Sequence, residues 1–221
     1  MLNLKGKFVK YNIPKMWDNE PCYIIGGGWS LKGFDVSVLK GKNIIGVNNA
    51  FKLADFITFC WFGDFQWYGW NLADITMRRL KSSFSTSFVS CHNKFENHPF
   101  IYHVERTGGC GINTKENKVR WNYCSGFSAI NFAYHLGANP IILLGFDMKP
   151  NPNNPKDNNY HQEHQVKLRK IYNPYTSYLR AVESIKKDAN ELNIKIFNVT
   201  TDSGISEDIF KWISIEKAVS L

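Results

Sequence analysis

Two histidines three residues apart, His161 and His164, stand beside Tyr160 in the stretch NYHQEH. Histidine is the side chain whose ordinary pKa lies nearest neutrality, so it can take the proton of a hydroxyl group during a reaction. A tyrosine hydroxyl can donate a hydrogen bond to a phosphate oxygen. The three side chains are therefore candidate catalytic residues. The alternative interpretation is a pair of solvated histidines in a polar loop.

Glycines and small polar residues follow directly after several predicted strands. They are Gly26, Gly27, Gly28 and Ser30 after the first strand, Asn48 and Asn49 after the second, Gly63 and Asp64 after the third, and Asp147 after the stretch PIILLG. In open α/β sheets, ligands bind beyond the carboxyl ends of the strands. Glycines let a backbone approach a ligand and expose N–H groups to phosphate, whereas Asn and Asp can bind a base or a ribose. These positions predict a nucleotide-binding crevice.

Two common nucleotide-binding motifs do not match the glycine turn GGGWSLKG, which begins at Gly26. A dinucleotide fingerprint requires glycine where this chain has Leu31, and usually an acidic residue where it has Asn48, so NAD binding is disfavoured. A P-loop requires Gly-Lys followed by Ser or Thr, and the turn has no such sequence. A tight strand-to-loop turn that binds nothing is the alternative explanation of the glycines.

Short apolar stretches alternate with amphipathic ones, which is typical of βαβ units and a largely parallel sheet. Strands are predicted near 22–26, 43–47, 56–62, 86–90, 100–104, 140–145 and 194–199. One helix is capped by Ser125 and ends at Gly137, and another opens with Asn173 and Pro174 and runs to Leu192. The predicted fold class is α/β, a single Rossmann-like, doubly wound, mostly parallel sheet flanked by helices. We expect one domain over 1–221, with a core over about 20–200 and a carboxy-terminal helix over about 205–219.

Two stretches interrupt this alternation, 92–124 and 148–164. The second is rich in Pro and Asn and too polar to pack alone. Its length and composition predict a mobile loop over the carboxyl ends of the strands, and it carries both candidate histidines.

The bulk composition restricts the class of protein. The chain has 27 Lys and Arg against 19 Asp and Glu, and its net charge of +8 favours anionic partners such as nucleotides, nucleic acid or acidic glycans. Its five cysteines show no zinc-binding spacing, so we expect reduced thiols. No stretch has the apolar length of a signal peptide or a membrane span. We therefore expect a cytoplasmic protein without a membrane span, for which oligomer formation stays open.

The aromatic stretch FCWFGDFQWYGW runs from Phe59 to Trp70. Alternate aromatic residues on a buried strand and its rim explain most of it. The alternative is that Trp67, Tyr68 or Trp70 stacks on a sugar or a base.

Three stretches together resemble a known family: YIIGGGWSLKGFDVSVLKGKNIIGVNNAF, FGDFQW and CSGFSAINFAYHLGANPIILLGFDM. They are similar to the 6-hydroxymethylpterin diphosphokinase-like domain of archaeal and phage proteins. They also resemble, more distantly, the bacterial sialyltransferases that decorate lipooligosaccharide. The resemblance covers about residues 22–200, with Trp29 standing where these families usually have proline.

The sialyltransferase resemblance implies a glycosyltransferase that uses a nucleotide-sugar donor and requires no metal or other cofactor. It implies that His164 is the catalytic base, because NYHQEH is similar to a His-Tyr-x-x-His stretch with the base at its last position. It leaves the acceptor open as a glycan, a small molecule or modified DNA. The residues implied to surround the nucleotide phosphate and sugar are Gly26, Gly28, Ser30 and Asn48, with Ser125 and Gly126 closing the other side.

The diphosphokinase resemblance implies instead the transfer of pyrophosphate from ATP to a pterin-like alcohol. That reaction needs Mg²⁺, which Asp64 and Asp147 would hold. The sequence has no Asp-x-Asp pair near a strand end, and this favours metal-independent glycosyl transfer. A third hypothesis is a non-catalytic module that binds nucleic acid or a phage assembly partner. For a phage-encoded protein, the expected location is the host cytoplasm.

Overall fold

The computed structural model describes residues 11–81, 86–154, 158–161 and 174–221. The strands are Cys22–Ile25 (β1), Asn43–Val47 (β2), Phe59–Phe62 (β3), Ser87–Ser90 (β4), Tyr102–His103 (β5), Glu105–Thr107 (β6), Lys118–Arg120 (β7), Ile141–Leu144 (β8), Ile196–Asn198 (β9) and Lys211–Trp212 (β10). The α-helices are Phe65–Leu80 (α1), Ser125–His135 (α2), Tyr175–Leu179 (α3), Val182–Glu191 (α4) and Ile215–Val219 (α5). Short 3₁₀ helices span Trp29–Leu31, Val36–Leu39, Asn48–Lys52 and Asn93–Phe95.

The main sheet has the order β10-β9-β8-β1-β2-β3-β4-β5, and its neighbouring strands are parallel. The chain starts at β1 in the interior, builds β2 to β5 outward on one side, and then returns to lay β8, β9 and β10 on the other side. The direction of winding therefore reverses between β1 and β8. This arrangement confirms the predicted α/β class and its doubly wound, parallel sheet.

The sheet is buried on both faces because successive strand residues point to opposite sides. In β1, Cys22 and Ile24 join the core cluster that contains the apolar residues of α2 and α4. Tyr23 and Ile25 join the cluster on the other face, which is closed by α5 and by the 3₁₀ helices after β1. Continuous apolar strands such as these are typical of parallel sheets covered by helices on both faces.

Two helices differ from the prediction. The helix expected from Asn173 to Leu192 is divided into α3 and α4, separated by Arg180 and Ala181, and Asn173 lies outside the described residues. Helix α2 is capped by Cys124 and not by Ser125, because the Cys124 Sγ accepts a hydrogen bond from the Phe127 N–H (3.5 Å). Ser125 is instead the first helical residue.

The aromatic stretch is a strand followed by a helix. Strand β3 ends at Phe62, and the Asp64 carboxylate accepts a hydrogen bond from the Gln66 N–H (2.8 Å) to cap α1. Trp67 is buried, Tyr68 packs on Phe62 and Phe95, and Trp70 is exposed. The aromatics before α1 therefore belong to the core, as predicted.

Two further elements were not predicted. The irregular stretch 92–124 contains a separate parallel pair, β6 and β7, in addition to β5, which lies within the strand predicted near 100–104. Near the carboxy terminus, where a helix was expected over about 205–219, β10 joins the edge of the sheet and helix is confined to α5. In the part of the chain that the structure describes, every helix is too short or too polar to cross a membrane.

Candidate active site

A cavity of about 360 Å³ opens at the carboxyl ends of β1, β2 and β8. It lies where the winding of the sheet reverses, which is the position at which doubly wound folds bind ligands. The glycine turn after β1 forms one wall, the residues after β8 form the floor, and the amino-terminal end of α2 faces them.

The glycines after β1 allow two strand ends to meet closely. The Gly26 N–H donates to the Leu144 carbonyl (2.8 Å) and the Gly28 N–H donates to the Gly145 carbonyl (2.9 Å). A Cβ at Gly26 would lie 2.7 Å from the Gly145 oxygen, and one at Gly28 would overlap the Asp147 carboxylate. Two of the N–H groups expected to face a phosphate are thus engaged within the protein, and both glycines are required by the close approach of β1 and β8.

Asp147 is a buried carboxylate in the cavity floor. It is 2% exposed, and its two oxygens accept hydrogen bonds from the Ser30 N–H (3.1 Å) and the Ser30 hydroxyl (2.9 Å). Burial raises the pKa of Asp147 above its ordinary value, and the Ser30 hydrogen bonds lower it in part. Ser30 therefore acts here as the support of Asp147.

The two asparagines after β2 have different surroundings. Asn48 lines the cavity with a left-handed backbone (φ 52°), and its buried Oδ1 has no hydrogen-bond partner among the described residues. Asn49 is 3% exposed and lies behind the cavity wall. Its Oδ1 accepts a hydrogen bond from Trp67 Nε1 (2.6 Å), and its Nδ2 lies 3.2 Å from His161 Nδ1. Asn48 is thus placed to contact a ligand, and Asn49 is placed to contact His161.

Asp64 and Trp121 form the side of the cavity next to β3. A Cβ at Gly63 would overlap the Trp121 ring, so glycine is needed at this position for the indole to reach the cavity. The Arg106 guanidinium lies 4.9 Å from the centre of the same ring. An aromatic face held by a cation is therefore available at the cavity edge. Sequence reasoning considered stacking only for Trp67, Tyr68 or Trp70, as the alternative to core packing, and missed Trp121.

The amino-terminal end of α2 supplies Ser125 and Gly126 to the cavity. The first N–H groups of a helix have no partner within the helix, and they carry the positive end of its dipole. Burial raises the pKa of the Cys124 thiol to about 12, so this cavity cysteine stays protonated near neutral pH. This end of the cavity is suited to an anion.

Strained backbone accompanies this helix start. Asn122 and Tyr123, directly before the Cys124 cap, have φ angles of 54° and 61°. The Asn122 side chain is 1% exposed and forms two hydrogen bonds with the Gly111 backbone. Its Oδ1 accepts from the Gly111 N–H (2.8 Å), and its Nδ2 donates to the Gly111 carbonyl (3.0 Å). Left-handed residues other than glycine are uncommon and concentrate at functional sites. Asn48 and Met148, with φ angles of 52° and 50°, line the cavity and bring the number of such residues at or beside it to four in the described part of the chain.

The stretch 158–161 docks on the glycine turn. The Tyr160 N–H donates to the Gly27 carbonyl (3.2 Å), and Asn159 forms an antiparallel bridge with Gly28. The Tyr160 ring packs into the apolar cluster of the opposite sheet face, whereas His161 lines the cavity. The structure thus brings His161 to the site and directs the Tyr160 ring away from it. His164 lies outside the described residues.

Two tyrosines that sequence reasoning missed also line the cavity, Tyr175 and Tyr178 of α3. Their ring centres are 6.3 Å apart. Burial and the nearby charge of Asp147 raise the pKa of Tyr175, so its hydroxyl stays protonated. The signal was present in the sequence, because tyrosines three residues apart after a helix-starting proline share one helix face.

The structure therefore gathers many of the predicted binding residues around one cavity. Those that line it are Gly26, Gly27, Gly28, Asn48, Asp64, Ser125, Gly126 and Asp147. Ser30 and Asn49 support them from behind. Within the described ranges, no three His, Cys, Asp or Glu side chains are grouped so that they could hold a metal ion.

Comparison with known proteins rests on solved structures. No protein-family model matches the chain, and neither does any curated protein. The sialyltransferase CstII from Campylobacter jejuni, in complex with the substrate analogue CMP-3FNeuAc, is 14% identical with a TM-score of 0.54 over 87% of this chain and 85% of that chain. CstII in complex with cytidine-5'-monophosphate gives a TM-score of 0.53 at 13% identity, over 87% of this chain and 84% of that chain.

A larger enzyme has a similar domain. The MAf glycosyltransferase from Magnetospirillum magneticum AMB-1 is 14% identical with a TM-score of 0.61, over 96% of this chain but only 36% of that chain. At these identities the comparison concerns the fold. The protein therefore has the α/β fold of these glycosyltransferases, with its cavity at the reversal point of the sheet.

Proposed function

We propose that the protein is a glycosyltransferase that uses a nucleotide-sugar donor, and that the donor nucleotide is CMP. The observation that carries this proposal is the cavity at the reversal point, where the start of α2, two tyrosine hydroxyls and His161 converge. The fold neighbour CstII supports the choice of nucleotide, since its structures contain CMP and a CMP-sugar analogue.

The donor phosphate would lie between α2 and α3. The N–H groups at Ser125 and Gly126 and the hydroxyls of Tyr175 and Tyr178 are hydrogen-bond donors on the lining of one cavity. Such donors stabilise the negative charge that develops on a leaving phosphate. With this charge compensated by the chain, the proposed reaction requires no metal. Asn48 Oδ1, a buried acceptor, would bind an amino or hydroxyl group of the nucleoside.

The reaction would proceed by attack of an acceptor hydroxyl on the sugar carbon bound to phosphate. The bond between that carbon and the phosphate oxygen breaks, a glycosidic bond forms, and the hydroxyl proton passes to a base. We assign His164 as this base, because histidine titrates near the pH at which the proton must be taken. The products are the glycosylated acceptor and CMP.

The test is release of CMP from a CMP-sugar such as CMP-NeuAc, in the presence of a chelator, with glycan acceptors added in turn. We expect acceptor-stimulated CMP release by the wild type. His164→Ala should abolish turnover and retain CMP binding, whereas His103→Ala on β5 serves as the matched control and should retain both.

Two results would contradict the proposal. The first is CMP-sugar left intact under all acceptors. The second is release of AMP from ATP and Mg²⁺ with a pterin alcohol, which would identify a diphosphokinase.

A further inference from the structure

The amide of Asn49 has a fixed orientation. Trp67 Nε1 is a donor only, so the Asn49 atom 2.6 Å from it must be the oxygen. The Asn49 Nδ2, which can only donate, therefore points at His161 Nδ1, 3.2 Å away. Since the orientation of an amide is normally ambiguous, the indole N–H is what determines it here.

This orientation determines where His161 carries its proton. A hydrogen bond from the Asn49 Nδ2 requires a lone pair on His161 Nδ1. An imidazolium ring would place two donors opposite each other at 3.2 Å, and so would the tautomer protonated on Nδ1. The ring is therefore neutral, with its proton on Nε2.

The residues behind His161 are rigidly packed. Trp67 is 2% exposed, and its ring lies 5.9 Å from Phe51 and 4.8 Å from Phe62, measured between centres. The Asn71 Nδ2 donates to the Trp67 carbonyl (2.9 Å), which fixes the backbone of the same turn of α1. The indole therefore cannot rotate freely to release Asn49. The fixed Asn49 amide in turn determines which ring nitrogen of His161 accepts a hydrogen bond.

We propose that Trp67 and Asn49 are positioning residues that hold His161 neutral with its proton on Nε2, and that this N–H donates a hydrogen bond to the phosphate of the bound nucleotide. The second half rests on the function proposed above. His161 then cannot act as the base, since Nε2 has no lone pair and the lone pair of Nδ1 is engaged by Asn49. A neutral histidine used as a donor in this way has a precedent in other enzymes.

The first experiment measures the tautomer in the ligand-free protein. Proton–nitrogen correlation spectra of histidine-labelled protein distinguish the two neutral tautomers and the imidazolium, and His161→Gln identifies the His161 signals by their loss. We expect His161 to be neutral with its proton on Nε2 at neutral pH. A proton on Nδ1, or a charged ring, would overturn the proposal.

Asn49→Asp tests the role of the amide. A carboxylate accepts from Trp67 Nε1 and also from a protonated His161 Nδ1, so we expect this variant to move the His161 proton to Nδ1 or to charge the ring. The control is Asn198→Asp on β9, where a carboxylate keeps the role of Oδ1 in accepting from the Thr200 N–H (3.0 Å), and it should leave the tautomer unchanged. An unchanged His161 tautomer in Asn49→Asp would remove Asn49 from this role.

The second experiment measures CMP affinity by titration calorimetry. A Gln side chain places an amide donor about where Nε2 lies, whereas an Asn side chain reaches only as far as Nδ1. We therefore expect His161→Gln to bind CMP within about threefold of the wild type and His161→Asn to bind it about tenfold to a hundredfold more weakly, the cost of a hydrogen bond to a charged group. Equal affinities of the two variants would refute the phosphate contact.

The two proposals fail separately. If the wild type does not bind CMP, the proposed function and the phosphate contact both fall, while the tautomer measured in the ligand-free protein still decides the roles of Trp67 and Asn49. If CMP binds but the proton lies on Nδ1, the function stands and the positioning proposal is wrong.

Discussion

At the scale of single residues, the contact between Gly28 and Asp147 determines how closely β1 and β8 can meet. A Cβ at Gly28 would overlap the Asp147 carboxylate and lie 2.6 Å from the Gly145 carbonyl oxygen. We expect Gly28→Ala to lower the free energy of unfolding by about 1–3 kcal/mol, the usual cost of overpacking, measured by denaturant unfolding.

Gly69→Ala is the matched control for this substitution. Gly69 lies within α1, and an added Cβ there meets no atom of the described ranges within 4 Å. Replacing a helical glycine with alanine should therefore stabilise the protein by about 0.5–1 kcal/mol. The same sign of change at both positions would refute the steric explanation of the glycine turn.

The buried Asp147 carboxylate predicts a pH dependence of stability. Its pKa is raised by burial, so the folded protein keeps this proton to a higher pH than the unfolded chain does. Its contribution to the free energy of unfolding therefore falls as the pH rises from about 4, the unfolded pKa, through the higher folded pKa. We expect Asp147→Asn, which has no such proton, to gain stability relative to the wild type over that rise.

Denaturant unfolding across the acidic to neutral range measures this difference. The control is Asp64→Asn, which retains a capping side chain at the start of α1. If the free energy of unfolding changes with pH in the same way for the wild type and Asp147→Asn, ionisation of Asp147 does not destabilise the folded protein as predicted.

At the scale of elements, α3 is the part of the site that the sequence predicted least well. Its two tyrosines reach the cavity because the helix expected to run from Asn173 to Leu192 breaks at Arg180 and Ala181. The apolar spacing of Leu179, Val182 and Ile185 fits either one helix or two. The position of the break depends on tertiary packing, because the apolar residues of α4 join the core cluster on one face of the sheet whereas the tyrosines of α3 line the cavity.

Tyr178→Phe tests the role of α3. If its hydroxyl stabilises the leaving phosphate, its loss should reduce kcat by about tenfold to a hundredfold, as for a hydrogen bond to a charged group. Steady-state release of CMP measures the effect. Tyr134→Phe in α2, which removes a tyrosine hydroxyl that lines a separate cavity beside Asn139 and Ile194, should leave kcat unchanged. Equal rates for Tyr178→Phe and the wild type would exclude this hydroxyl from catalysis.

The N-cap of α2 is a second feature that local sequence rules did not predict correctly. Both Cys124 and Ser125 are able to accept a hydrogen bond from a helix N–H, and serine is the usual N-cap. The cysteine is the cap because Asn122 and Tyr123 turn the chain through left-handed conformations one residue earlier. Those conformations depend on the hydrogen bond from the Gly111 N–H to the Asn122 side chain, which joins separate segments of the chain.

At the scale of the whole molecule, the alternation of apolar and amphipathic stretches was sufficient to predict the doubly wound sheet and most of its strands. The same topology predicted that the residues after β1, β2 and β8 would meet, and they do so around one cavity. Trp121 could not be predicted in this way, because its stretch lies outside the alternation and reaches the cavity through contacts such as that with Gly63. The β6–β7 pair was missed for a similar reason, since its strands are only three residues long.

The central claim is that this cavity binds a nucleotide, and CMP titration of the wild type and Gly27→Val tests it most directly. Gly27 lines the cavity, and among the described residues an added Cβ meets only the Asn159 Oδ1, at 3.6 Å, so the variant should fold normally while its side chain occupies the site. We predict saturable CMP binding by the wild type without added metal, and its loss in Gly27→Val. Absence of CMP binding by the wild type, or equal binding by a folded Gly27→Val, would contradict the claim.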